Sequence, residues 1–121
     1  MQRRAQSFIY AFSGLAQILK AEPNAWIHLA AAGLVVAVAI WLQLPRRDWA
    51  VLVLTIFMVW MAEATNTALE AIVDLASPEF HHLARRAKDV AAGAVLLSAI
   101  GAIIVGLLLL GPPLLEKLTV P

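Results

Sequence analysis

Five polar side chains interrupt an otherwise apolar stretch at helical spacing. They are Glu63, Asn66, Thr67, Glu70 and Asp74. These positions fall on one face of an α-helix, which completes a turn every ~3.6 residues. A carboxylate at the centre of a bilayer costs about 3 kcal/mol or more, so ionisable residues at that depth mark functional sites. Snorkelling to the interface explains Asp74 but explains Glu63 poorly. The stripe therefore predicts a function for Glu63 and Glu70.

The oxygen-rich stripe is suited to phosphate chemistry with a hard cation. Carboxylate and amide oxygens are ligands for Mg²⁺, which takes one or two protein carboxylates and completes its shell with water and phosphate. A remaining carboxylate can act as a general base. The following loop, S-P-E-F-H-H-L-A-R-R-A-K-D, supplies Arg85, Arg86 and Lys88 as cations for nucleotide phosphates. The chain has neither a G-x-x-x-x-G-K-[ST] loop nor a kinase glycine-rich loop, so any ATP site is of another kind.

The composition places these residues in a membrane protein. Of 121 residues, 62% are apolar and 14% are charged, against roughly 45–50% and about 25% in soluble domains. These values argue against a soluble globular domain and against a disordered chain. The absence of cysteine excludes disulfides, thiolate metal sites and a cysteine nucleophile. The net charge of +1, without a lysine or arginine cluster, argues against a nucleic-acid surface.

The predicted fold class is an all-α membrane protein, with the whole chain, 1–121, forming one domain. An amphipathic helix over 1–22, with apolar residues at helical spacing, is predicted to lie at the membrane interface. Three apolar stretches are long enough to cross a bilayer. The predicted spans are 24–44, 49–74 and 88–111, and a loop covers 75–87 between the last two. Pro112 and Pro113 are predicted to stop the third span near Gly111.

The lysines and arginines of the short loops predict how the chain is oriented across the membrane. The N-terminal segment and the second loop carry six lysines and arginines, and the opposite side carries three. By the positive-inside rule, the N-terminus and the second loop are cytoplasmic. The polar half of the middle helix then points to the cytoplasm. Because three short helices have limited area to enclose a polar site, we expect a homo-oligomer.

Two segments resemble those of a known family. These are E-A-T-N-T-A-L-E-A-I-V-D, from Glu63 to Asp74, and A-K-D-V-A-A-G-A-V-L, from Ala87 to Leu96. The sequence resembles the bacterial diacylglycerol kinase and undecaprenol kinase family over nearly its whole length. The resemblance implies a homotrimer in the bacterial inner membrane, with active sites shared between subunits. It also implies Mg²⁺-dependent transfer of the ATP γ-phosphoryl group to the hydroxyl of a membrane lipid.

The resemblance assigns roles residue by residue. Glu63 matches the proposed general base, at the lipid substrate, and Glu22 and Glu70 match metal ligands. His28, at a position where some members carry an acid, is either a lipid-headgroup contact or an interfacial polar residue. The I-H-L run and S-P-E-F-H look more like the undecaprenol branch, which leaves diacylglycerol open as the substrate. The residues matching nucleotide-binding positions are Arg3, Tyr10, Asn66, Glu70, Lys88 and Asp89.

Two other classes of protein remain as alternatives. A small proton-coupled transporter would use Glu63 as a proton relay. Against this, the acids cluster at one end of a helix, and Lys88 and Asp89 beside them would have no task. A structural membrane subunit with a non-catalytic polar seam is the other alternative. His81 and His82 are expected to be solvated loop residues rather than metal ligands.

Overall fold

The computed structural model describes residues 2–119, with side chains from residue 5 onward. The described residues form four helices: α1 (Gln2–Ala21), α2 (Pro23–Trp41), α3 (Arg46–Ala76) and α4 (His82–Thr119). The last three are long and apolar enough to cross a membrane, which confirms an all-helical chain with three candidate spans. Short connections make consecutive spans antiparallel. The start of α2, the end of α3 and the start of α4 therefore meet at one end of the structure.

The junction between α1 and α2 is a single extended residue, Glu22, with φ −111° and ψ 112°. Proline at the first position of α2 causes this break, because Pro23 lacks an N–H and disfavours helical geometry in the residue before it. The Trp26 indole N–H donates to the carbonyl of Leu19 at 2.9 Å and ties the two helices together. The predicted N-terminal helix exists, and its location at a membrane interface stays a prediction.

The turn between α2 and α3 is a Schellman motif. The Leu44 N–H donates to the Ala39 carbonyl at 3.1 Å, and the Gln43 N–H donates to the Ile40 carbonyl at 3.0 Å. Gln43 has φ 56°, the left-handed conformation that this motif needs at its turning residue. Leu44 is buried with Ala39 and Leu52 in a small apolar core at this end. The turn thus satisfies the last carbonyls of α2 and fixes the start of α3.

The last helix is longer than expected at both ends. It begins at His82, where the His81 ring Nδ1 accepts a hydrogen bond from the Leu83 N–H at 3.2 Å. The loop predicted over 75–87 is therefore reduced to residues 77–81. The predicted stop near Gly111 is wrong, because α4 passes through Pro112 and Pro113 and ends at Thr119.

Contacts with α2 explain why the two prolines do not end the helix. Lys117 Nζ donates to the Trp41 carbonyl at 2.7 Å and lies 4.6 Å from the centroid of the Trp41 ring. Before the prolines, Leu109 and Leu110 pack against the apolar core of the turn. Each of the two prolines keeps helical φ but loses one hydrogen bond, and these contacts hold α4 against α2 on both sides of the prolines. The other two spans also differ slightly from 24–44 and 49–74.

We predict that Gln43→Gly stabilises the protein by about 1 kcal/mol, because glycine adopts left-handed geometry without the Cβ clash. Thermal unfolding in detergent micelles measures the effect as a higher Tm. Gln17→Gly, at an exposed position inside α1, is the matched control and should lower the Tm. A lower Tm for Gln43→Gly would contradict the role assigned to this turn.

Candidate active site

The polar stripe of α3 runs from the buried part of the structure to its surface. Glu63 is 1% exposed and Asn66 is buried beside it. Thr67 and Glu70 are half-buried, and Asp74 is exposed. Glu63 is also the largest of the described side chains that are fully buried. Of the acidic side chains in this stripe, Glu63 lies deepest in the apolar part of α3, and it is also the most buried.

His28 is the partner of Glu63. Its Nε2 lies 2.9 Å from Glu63 Oε1, and the His28 side chain is 17% exposed. No donor of the described residues makes a well-aligned hydrogen bond to that oxygen. Thr67 and Asn66 are engaged elsewhere, the first with the Glu63 backbone carbonyl and the second with Glu70. Contact with His28 from α2 thus compensates the burial of this carboxylate.

Two more acidic side chains, Glu22 and Glu70, lie next to Glu63, where α1, α2 and α3 meet. We call these three carboxylates the acidic group. Thr67 Oγ1 lies 3.4 Å from Glu22 Oε1 and 3.0 Å from the Glu63 carbonyl. Its single hydroxyl proton can be donated to one of these two acceptors at a time. Asn66 Nδ2 donates to Glu70 Oε1 at 3.3 Å. Partial burial, followed by the neighbouring carboxylates of Glu70 and Glu63, raises the pKa of Glu22 above its usual range.

This arrangement fits a divalent cation. Glu22 and Glu70 bring two carboxylates together, and the buried Asn66 Oδ1 has no hydrogen-bond donor among the described residues. A Mg²⁺ ion takes one or two protein carboxylates and otherwise binds water and phosphate. The described residues contain no group of three or more His, Asp or Glu side chains arranged for a metal. Glu22, Glu70 and the Asn66 amide oxygen would therefore form only part of a coordination shell, with water and phosphate supplying the rest.

Lys88, one of the cations predicted to bind phosphate, lies at the outer end of the polar stripe of α3. Lys88 Nζ contacts Asp74 Oδ1 and links α4 to the end of α3. Asp89 lies 3.9 Å from Arg85 along α4, and both side chains are exposed. A cleft of about 290 Å³ lies beside the Lys88–Asp74 pair, between the end of α3 and the start of α4. The adjacent Lys88 and Asp89 thus have different partners.

The described contacts do not join Tyr10, a predicted nucleotide-binding residue, to the acidic side chains of the site. Tyr10 is 72% exposed on α1, and none of the described side-chain contacts links it to Glu22, Glu63 or Glu70. The Arg3 side chain lies outside the described residues. Their predicted roles stay predictions.

An apolar groove of about 570 Å³ runs between the three spanning helices. Its walls are almost entirely aliphatic, with contributions from Val35, Leu52, Val59 and Ile103. His28 lines the groove at the end nearest Glu63, whereas Glu63 itself does not line it. The imidazole therefore lies between an apolar channel and the buried carboxylate.

Three of these contacts were missed by sequence reasoning. They are His28 with Glu63, Glu22 with Thr67, and Asp74 with Lys88. Each joins residues from different parts of the chain, so no spacing along one helix predicts it. The polar residue types inside apolar segments were the available signal, and they located the residues but not their partners.

Comparison with known proteins finds matches to diacylglycerol kinases and to an undecaprenol kinase. Residues 9–110 match the family described as prokaryotic diacylglycerol kinase. The chain is 47% identical to a diacylglycerol kinase of Synechocystis over 91% of its own length and 63% of that protein. It is 37% identical to an undecaprenol kinase of Bacillus subtilis over 94% of its length and 93% of that protein. A diacylglycerol kinase of Escherichia coli is 33% identical, over 81% of this chain and 92% of that protein. None of these names supports the transporter alternative.

We predict that Glu70→Gln raises the Tm by a few degrees in EDTA, because it removes one of two adjacent carboxylates and keeps the oxygen that accepts from Asn66. In the native protein, Mg²⁺ should raise the Tm by binding the folded state, and this effect should be lost in the variant. Thermal scans with and without Mg²⁺ measure both quantities. Glu79→Gln, in the exposed loop, is the control. A destabilised Glu70→Gln that still responds fully to Mg²⁺ would exclude Glu70 as a ligand.

Proposed function

Because this chain belongs to the prokaryotic diacylglycerol kinase family, we propose that it is a lipid kinase. It transfers the γ-phosphoryl group of ATP to the hydroxyl of a membrane lipid, either undecaprenol or diacylglycerol. The observation that carries this proposal is the buried Glu63, which lies between an apolar groove and a group of acidic side chains. A lipid alcohol and a metal nucleotide can meet at such a position.

The groove supports binding of the lipid chain. Its walls are apolar along its length, and His28 forms the polar end, close to Glu63. A hydrocarbon chain in the groove would place its hydroxyl at this end, near His28 and Glu63. Apolar contacts discriminate weakly between chains of similar width, so the groove is compatible with both prenyl and acyl substrates. The relatives carry both substrate names.

Glu63 is the proposed general base. In phosphoryl transfer the acceptor hydroxyl attacks in line and must lose its proton. The lipid O–H bond breaks and its proton moves to the Glu63 carboxylate. The lipid oxygen forms a bond to the γ-phosphorus, and the bond from that phosphorus to the bridging oxygen of ADP breaks. A carboxylate within reach of the hydroxyl is sufficient for this role.

Glu22 and Glu70 are the proposed Mg²⁺ ligands, with the Asn66 amide oxygen beside them. Bound Mg²⁺ would neutralise charge on the phosphates during transfer. Lys88 contacts Asp74 at the end of α3. We propose that its positive charge helps to bind the nucleotide phosphates. Asn66, Glu70 and Asp89 complete the proposed nucleotide site in the described residues, and we propose that Tyr10 of α1 joins it in the assembled protein.

A homotrimer in the bacterial inner membrane is the proposed assembly. Glu22 and Glu70 remain half-exposed in one chain, which supports a site completed by a neighbouring subunit. Many large apolar side chains of the spanning helices are also exposed, as expected for surfaces that contact lipid or other copies. The N-terminus and the loop between α3 and α4 face the cytoplasm, where ATP is available.

We predict that Glu63→Gln lowers kcat at least ~100-fold, because a general base typically contributes at least that factor. The near-equal volume of glutamine should leave the oligomeric state and nucleotide binding unchanged. Steady-state assays in mixed micelles measure kcat, and Glu116→Gln, near the exposed end of α4, is the control. Turnover close to the native value in Glu63→Gln would remove Glu63 from the base role.

A competition assay tests the proposed reaction itself. Purified protein receives Mg·ATP labelled at the γ-phosphate together with equal amounts of undecaprenol and diacylglycerol in mixed micelles. We expect the label in undecaprenyl phosphate or in phosphatidic acid, and the ratio identifies the preferred substrate. Label in neither lipid, with folded protein, would contradict the proposed function.

A further inference from the structure

His28 separates the groove from the buried carboxylate. It lines the groove, whereas Glu63 does not. On the other side of the ring, Nε2 lies 2.9 Å from Glu63 Oε1. A lipid hydroxyl at this end of the groove would therefore lie against the imidazole, with the Glu63 carboxylate directly behind the ring.

The polar neighbours of Glu63 on its own helix do not hold its carboxylate. The Thr67 hydroxyl is shared between the Glu63 backbone carbonyl and Glu22, and the Asn66 amide donates to Glu70. Ordering a glutamate side chain in one rotamer costs conformational entropy, which favourable contacts must offset. Among the described residues, the imidazole from α2 is the polar side chain that lies 2.9 Å from this carboxylate.

We propose that His28 is a positioning residue, which holds the Glu63 carboxylate at the end of the groove in the orientation that accepts the lipid proton. This inference rests on the proposed lipid kinase activity. A His28 acting only as a membrane-interface residue would need no contact with Glu63. A His28 acting only on the lipid would affect lipid binding rather than the rate of proton removal.

Two substitutions at His28 separate positioning from a structural role. His28→Leu removes the polar nitrogen that contacts Glu63, whereas His28→Gln keeps a polar nitrogen on a side chain of similar reach. We expect His28→Leu to lower kcat ~100-fold, the loss associated with displacing a catalytic group by about 1 Å, with unchanged KM for ATP. His28→Gln should recover most of this loss. His82→Leu, the same change at an exposed histidine, should leave kcat unchanged.

Each kinetic result decides the inference. A near-native kcat in His28→Leu overturns it while the native activity stands. Equal losses in His28→Leu and His28→Gln also overturn it, because the polar nitrogen then makes no difference. An increase in the KM for lipid at constant kcat would place His28 in lipid binding alone and overturn it. A native protein without kinase activity overturns the proposed function together with this inference.

A stability measurement tests the contact without relying on activity. The Tm of four proteins is compared: native, His28→Leu, Glu63→Leu and the double variant. Removing one member of a buried pair leaves the other without a partner, whereas removing both relieves that cost. We expect the double variant to unfold at a higher temperature than the sum of the single shifts predicts. Additive shifts would show that the two side chains are not coupled and would overturn the inference.

Discussion

The burial of one carboxylate constrains the rest of the structure. Glu63 is 1% exposed in the middle of a spanning helix, and a charged group so placed must be compensated. Compensation comes from α2, through the contact between His28 and Glu63. The first and second spans must therefore pack in one register, and the short Schellman turn between them sets that register. The packing of α2 against α3 and the proposed proton transfer therefore both depend on the contact between His28 and Glu63.

Chain connectivity brings the remaining groups to the same end. The single-residue break at Glu22 places this acid next to the stripe of α3, where Thr67 lies 3.4 Å from it. The short loop after α3 brings Lys88 to Asp74. Burial, and then the like charges of Glu70 and Glu63, raise the pKa of Glu22. A bound cation would offset the repulsion between these neighbouring carboxylates, so the arrangement is consistent with a cation-binding site.

The three spans and the candidate site could be predicted from regular patterns of apolar and acidic residues in the sequence. The three spans follow from the length of the apolar stretches, and the candidate site follows from acids at helical spacing inside one of them. The path of α4 beyond Pro112 was not predictable, because it depends on Lys117 reaching Trp41, 76 residues away. The contact between His28 and Glu63 could not be predicted either, because it joins two different helices. Local rules describe one helix, whereas these contacts are made between helices.

The central claim is that a lipid alcohol meets Glu63 at the end of the apolar groove. Its most direct test is photo-crosslinking with a lipid alcohol that carries a diazirine beside its hydroxyl, followed by mass spectrometry of the labelled peptides. The account predicts label in α2 around His28 and in α3 around Val59, with competition by unlabelled lipid alcohol. Label confined to α1 or to the outward-facing residues of α4, without such competition, would contradict it.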